Sequence, residues 1–266
     1  MSHKEKFILR HGRVPLLVSM PHVGEHIPDD IAVGLTPAAL QIADTDWHLD
    51  RLYDFLDELG VSVLVATHSR YVIDLNRPLD DTSLYPGQDT TGLFPFDTFR
   101  KESLYQHGRE PDDAEMARRG SSYWQPYHAA LSAELQRLRS EHGMAMLWEA
   151  HSICSEVPRF FDGRLPDLNL GTASGAACAP DLAQRLLQVA EQAPGYTHAM
   201  NGRFKGGHIT RHYGKPAEHI HAVQLELSQA TYMEEHLPFR FDEQLANNVR
   251  PTLRRFMETM LDWARA

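Results

Sequence analysis

Val14-Pro15-Leu16-Leu17-Val18, followed at once by Ser19-Met20-Pro21-His22-Val23-Gly24-Glu25-His26, is the stretch on which the fold turns. The first five residues form a short apolar run with the composition of a buried strand. The next eight make a proline- and glycine-containing turn that carries an imidazole and a carboxylate three positions apart. His22 and Glu25 at that spacing can converge on one metal ion. Two ligands are not a site, so a third ligand and a base must come from elsewhere in the chain.

Outward from this stretch, apolar runs alternate with helical patterns. Thr36 and Pro37 form an N-cap with proline at the first helical position. Leu40, Ala43, Trp47, Leu49, Leu52, Phe55, Leu56 and Leu59 then predict one long helix as far as Gly60, a natural C-cap. Residues 61–66 and 71–75 read as strands. Residues 78–111 are rich in Asp, Thr, Gly and Pro, and a loop of that length is usually a lid or binding loop, or mobile. Helices are expected over residues 112–119 and 123–142, with Gly143 closing the second. Residues 144–149 are a further apolar run ending at Ala150-His151-Ser152, and residues 168–171 a short strand. An amphipathic helix over 180–192 precedes a Gly-rich basic segment over 201–212. A strand over 221–227 and a long C-terminal helix over 241–264 complete the chain. The order predicts an α/β fold, a sandwich of helical layers around a largely parallel or mixed sheet. With no repeat, low-complexity segment or linker, residues 1–266 read as a single domain.

Composition narrows the function classes. At 266 residues the chain can bury a substantial core, and its 42% hydrophobic and 23% charged content is that of a globular protein. A net charge of −10 argues against a nucleic-acid partner, which needs a basic face, but not against a small anion held by a local cationic cluster. No apolar run approaches the roughly 18 residues of a membrane span. Met1 to Arg10 lacks the apolar core of a signal peptide. Cys154 and Cys178 allow at most one bridge, so a cytoplasmic location is expected. Nothing in the sequence sets an oligomeric state.

The chemically competent residues cluster by position. His22 and Glu25 follow the first strand, Arg70, Asn76 and Arg77 flank the next two, and His151 follows the strand after those. Open α/β sheets bind ligands beyond the carboxyl ends of their strands. His151 is thus the candidate third metal ligand, two imidazoles and a carboxylate leaving an open position on a divalent ion. Glu226 interrupts an apolar strand; it either faces solvent on an edge or is buried as a proton carrier. Arg70, Asn76 and Arg77 supply donors suited to a carboxylate or oxyanion, although Asp74 offers Arg77 a surface bridge instead. Arg203, Lys205 and Arg211 add positive charge beside glycines, or form a solvated loop. His219 and His221 are the rival metal pair, without a carboxylate at ligand spacing. Asp44, Asp46 and Asp50 read as a solvated helical stripe or as support for a ligand histidine. His-Glu-x-x-His, Gly-x-Ser-x-Gly, P-loop and Rossmann patterns are absent.

Together, Pro21-His22-Val-Gly-Glu25, Ser69-Arg70 through Asn76-Arg77, Glu149-Ala-His151-Ser, Gly202-Arg203 through Arg211 and Gln224-Leu-Glu226-Leu resemble the N-formylglutamate amidohydrolases, in order and over nearly the whole chain. More distantly they look like zinc carboxypeptidases and aspartoacylases. The resemblance implies a three-layer α/β/α sandwich around a mixed, roughly eight-stranded sheet of the phosphorylase/hydrolase-like kind. It implies His22, Glu25 and His151 as ligands of one divalent metal, zinc being expected, and Glu226 as general base and acid. Arg70 would polarise the scissile carbonyl, and Asn76 with Arg77 would clamp a substrate carboxylate. Arg203, Lys205 and Arg211 would serve the second. The implied activity is metal-dependent hydrolysis of N-formyl-L-glutamate, the last step of histidine degradation. The competing readings are a related N-acyl-amino-acid deacylase or carboxypeptidase on the same scaffold, and a non-catalytic metal- or amino-acid-binding protein.

Overall fold

Alternating apolar residues that bury both faces of a sheet build the frame. The computed structural model describes residues 5–266; the first four residues of the segment read for a leader lie outside them. The described strands are β1 (Phe7–Arg10), β2 (Leu16–Met20), β3 (Ser62–Ala66), β4 (Ala145–Ile153), β5 (Leu168–Gly171), β6 (His198–Met200) and β7 (Ile220–Ser228). They form one mixed sheet in the order β1-β3-β2-β4-β7-β5-β6, seven strands where about eight were expected. The central four, β3, β2, β4 and β7, are parallel. β1 and β5 run antiparallel to their inner neighbours, and β6 is parallel to β5.

The described α-helices are α1 (Asp29–Ala32), α2 (Leu49–Leu52), α3 (Leu56–Leu59), α4 (Asp113–Arg119), α5 (Gln125–His142), α6 (Pro180–Glu191), α7 (His208–Tyr213) and α8 (Glu243–Ala264). On one sheet face Val18, Trp148 and Leu225 pack with Leu186 of α6 and Phe256 of α8. On the other, Leu17, Leu147 and Ala222 pack with Leu131 and Leu135 of α5 and Ile209 of α7. Helical layers therefore cover both faces, the α/β/α sandwich expected. None of the described helices is long and apolar enough to cross a membrane, and Cys154 and Cys178 are both free.

Three local expectations change. The long helix over 40–59 is broken into a short 3-10 turn (Ala39–Gln41), α2 and α3, with Ile42 and His48 in the left-handed region. The break turns Asp44 and Asp46 inward; both are buried. Residues 71–75 are not a strand. Val72, Ile73 and Leu75 are buried, but their segment meets its backbone hydrogen bonds through a turn, Val72 N–H to Ser69 O at 2.9 Å, and a distant loop, Asp74 N–H to Leu93 O at 2.8 Å. Apolar content reports burial, and here the burial is not in a ladder. The basic segment over 201–212 contains α7, whose N-terminal amides are taken by buried side chains described below.

Candidate active site

The two central strands change character toward their carboxyl ends. On the α5 side, β4 presents Ala145 and Leu147, then Glu149 and His151; β7 presents Ile220 and Ala222, then Gln224 and Glu226. The parallel register sets Glu149 beside Gln224 and His151 beside Glu226. Side chains two apart share a face, so the four polar groups form one patch where apolar packing stops. The pocket over this patch, a cavity of about 70 Å³, is lined also by His22, Arg70, Asn76, Arg77 and Arg203.

At its floor, one ligand atom each from His22, Asp46 and His151 lies within 4.8 Å of the others, and all three residues are buried. Asp46 Oδ2 is 2.9 Å from His151 Nδ1 and 3.8 Å from His22 Nδ1. The opposite ring nitrogens face buried carboxylates: His22 Nε2 lies 2.7 Å from Asp74 Oδ1, and His151 Nε2 lies 2.6 Å from Glu149 Oε1. Carboxylates in that position orient a ligating imidazole and raise its basicity. They are held in turn: Asp74 accepts from Arg70 Nη2 at 2.6 Å and from Asn76 N–H at 2.9 Å. Glu149 accepts from the backbone N–H of Thr210 at 3.0 Å and from the Thr210 hydroxyl.

The electrostatics fit a cation among the three. Asp46, Asp74 and Glu149 are buried together, against the buried guanidinium of Arg70. Uncompensated buried charge is costly, so such a site favours added positive charge. Burial disfavours an imidazolium at His151, but Glu149 and Asp46 outweigh it and hold its pKa well above the usual histidine range. A metal ion can take the place of that proton at Nδ1. At His22 burial and Arg70 prevail over Asp74 and keep the ring neutral, ready to ligate. Two imidazoles and a carboxylate are a donor set suited to a divalent ion of the zinc kind.

Glu226 faces the same pocket, and burial pushes its pKa up to about 8, with Asp46 adding to the shift and His151 and Arg70 opposing it. Arg70 has one buried donor, Nε, with no partner. Asn76 Oδ1 accepts from Ile209 N–H at 2.9 Å, which turns its amide nitrogen toward His151 Nε2 at 3.0 Å. That ring proton is already given to Glu149, so an Asn76 N–H remains for the pocket. Arg77 bonds only to the backbone and to Thr91, and Arg203 donates to Phe160 O at 2.5 Å. Arg203 lies among the rings of Tyr85, Phe160 and Phe204, and burial lowers its pKa. Neither Arg77 nor Arg203 is in an ion pair among the described residues, so two guanidiniums face the pocket without a carboxylate.

His22, His151, Arg70, Asn76, Arg77, Arg203 and Glu226 are thus brought together. Three others are not. Glu25 is exposed and outside the pocket, because Gly24 packs its backbone against His68 and the turn carries the Glu25 side chain outward. The carboxylate that joins the two histidines is Asp46. Lys205 and Arg211 are exposed and do not line the pocket; Arg211 folds back to donate to Gly206 O at 2.8 Å. Asp74 pairs with His22 and Arg70 rather than forming a surface bridge to Arg77. His221 accepts from Ala179 N–H at 3.2 Å and joins no metal-ligand group among the described residues. Residues 78–111 supply pocket wall: Tyr85, Thr90, Thr91 and Phe99. Asp74 and Glu149, given no part in the site by the sequence reading, carry the signal that singled out Glu226, a carboxylate inside an apolar run.

Comparisons with known proteins give the family. Residues 14–233 match the family model described as N-formylglutamate amidohydrolase. The chain is 53% identical over 261 residues to the N-formylglutamate deformylase of Pseudomonas aeruginosa, covering 98% of each chain. It is 54% identical over 252 residues to the N-formylglutamate deformylase of Pseudomonas putida, covering 95% of this chain and 94% of that one. Among solved structures, the N-formylglutamate amidohydrolase of Ralstonia eutropha JMP134 superposes with a TM-score of 0.83 at 27% identity over 98% of each chain. A gene product of Agrobacterium tumefaciens, at 18% identity and a TM-score of 0.74, shares the fold. With the family model spanning most of the chain and full-length relatives above half identity, this protein belongs to the N-formylglutamate amidohydrolase family.

Proposed function

We propose that the chain is a metal-dependent deformylase that hydrolyses N-formyl-L-glutamate to formate and L-glutamate, the last step of histidine degradation, in the cytoplasm. Residues 1–266 act as one catalytic domain. The observation that carries this reading is a buried carboxylate, Glu226, beside the His22–Asp46–His151 cluster, in a pocket where two of the three guanidiniums, Arg77 and Arg203, are in no ion pair among the described residues. A dicarboxylate substrate completes those two ion pairs, and a substrate lacking one acid leaves a half-buried cation unpaired.

His22, Asp46 and His151 would hold a divalent ion, zinc by donor type, which would supply Lewis-acid polarisation and ease deprotonation of water. Glu226 accepts the proton of the attacking water and returns it to the departing amide nitrogen, which leaves as the amine of glutamate. Arg70 Nε–H donates to the formyl oxygen as negative charge develops there, a role for which its unpartnered state leaves it free. Arg77, with the Asn76 amide, holds one carboxylate and Arg203 the other. Asp74 and Glu149 keep the imidazoles oriented.

Elemental analysis of the purified protein, paired with formate release from N-formyl-L-glutamate, tests the proposal. The expected result is about one divalent ion per chain and formate release abolished by chelation. Protein that carries no metal and releases formate undiminished by chelators would overturn the metal-dependent mechanism; protein that releases no formate would overturn the activity.

A further inference from the structure

Phe99 lines two cavities. One is the active-site pocket of about 70 Å³. The other, about 530 Å³, lies on its far side against Asp44, Cys154 and Arg159. No other residue lines both, so the Phe99 ring is the partition between them. Its place in the pocket is set by Arg70, whose guanidinium carbon lies 4.9 Å from the ring centroid. The other edge of the ring meets Phe160 at 4.9 Å and 73°.

The partition is fixed from several sides. Phe99 sits in a turn closed by hydrogen bonds from Thr98 N–H to Glu102 O and from Lys101 N–H to Thr98 O, both 2.9 Å. Buried Asp44 accepts the Phe99 N–H at 2.9 Å, and Arg159 donates to Thr98 O at 2.8 Å. A wall anchored on both flanks keeps its position when a larger group presses on it, so the cost of that group is not relieved by movement.

Resting on the reading of the chain as a deformylase, we propose that Phe99 sets the acyl size the site accepts. With the two carboxylates on Arg77 and Arg203 and the carbonyl oxygen on Arg70, the remaining bond of the acyl carbon points to the wall beside Arg70. Phe99 is that wall. It admits the hydrogen of a formyl group and collides with the methyl of an acetyl group. The empty volume behind the ring is the space a larger acyl chain occupies once the ring is removed.

The test compares kcat/KM for N-formyl-, N-acetyl- and N-propionyl-L-glutamate in the wild type, Phe99→Ala and Phe99→Leu. The leucine variant keeps an apolar anchor in the turn should the alanine variant fold poorly. One methylene-sized group in a pocket changes discrimination about 10- to 200-fold, so the acetyl-to-formyl ratio should rise at least about tenfold in a folded variant. Propionyl turnover should appear in Phe99→Ala. N-acetylglutamate should be a poor competitor of formyl cleavage in the wild type and a good one in the variants. An active wild type against which neither variant moves the ratio or the competition overturns the assignment of Phe99 alone. A wild type inert toward N-formylglutamate overturns the underlying activity, and the filter with it.

Discussion

The two faces of β4 and β7 carry almost opposite chemistry within one pair of strands. Toward α6 and α8, Met146, Trp148 and Ala150 of β4 and Val223, Leu225 and Leu227 of β7 are apolar and buried, with His221 and Ser152 as the polar residues at the two ends. Toward α5 and α7 the same strands begin apolar and finish as Glu149, His151, Gln224 and Glu226. Adjacent residues therefore answer to different demands: Trp148 to packing, Glu149 to orienting a histidine. The fold tolerates a buried, strongly charged patch on one face because the middle of the other face is hydrocarbon, with polar side chains only at its ends. Stability and chemistry are separated by the period-2 geometry of the strand rather than by distance along the chain.

Substitutions on the two faces should come apart in their effects. The largest expected effect is on the polar face: Glu226→Gln should lower kcat for formate release by about 10²- to 10⁴-fold, with metal content and thermal midpoint unchanged. Retained hydrolysis would remove Glu226 from the mechanism. On the apolar face Trp148→Ala should cost about 3–5 kcal/mol in urea unfolding, while the fraction still folded keeps its metal and its turnover per folded molecule. Should that variant lose metal at full stability, the separation of the faces fails. A smaller effect is expected at Glu149→Gln, which should weaken metal affinity about 10- to 100-fold by competitive chelator titration. Glu25→Gln should leave that affinity unchanged.

A last effect is graded with pH. His128, stacked on Trp124 and bonded to Leu75 O at 2.8 Å, is buried on the polar-face side, and burial brings its pKa down to about 3. The folded state thus prefers the neutral ring, whereas the unfolded chain takes up a proton near the ordinary value of 6.5. The associated stability is complete above pH 6.5 and is lost as pH falls from there toward 3, by up to about 1.4 kcal/mol per unit. Thermal midpoints measured between pH 7 and pH 4.5 should fall more steeply in the wild type than in His128→Gln. Equal slopes would show that His128 protonation does not couple to folding.

Much of the architecture was legible because it rests on local pattern. The runs that became β2, β4 and β7 were apolar, and Gly143 marked the end of α5 by its left-handed conformation. What failed was of two kinds. β1 and β6, four and three residues long at the sheet edges, are too short to show a period. The apolar stripe over 40–59 gave no warning of the break that brings Asp46 to the histidines, because the reason for the break lies in residues far away in sequence. Glu25 illustrates the same limit. Its spacing from His22 suits a shared metal, but the close approach of Gly24 to His68 decides where the side chain goes. Spacing reports which groups can meet; packing decides which do.

The register that sets His151 beside Glu226 has a further consequence. The separation of Glu226 and His151 is ruled by the backbone ladder, since neighbouring strands lie about 4.8 Å apart in any sheet. Side-chain repacking or loop insertion can reshape the mouth of the site without stretching that ruler. Segments such as residues 78–111, which wall the pocket from outside the sheet, can therefore change what enters without changing that spacing.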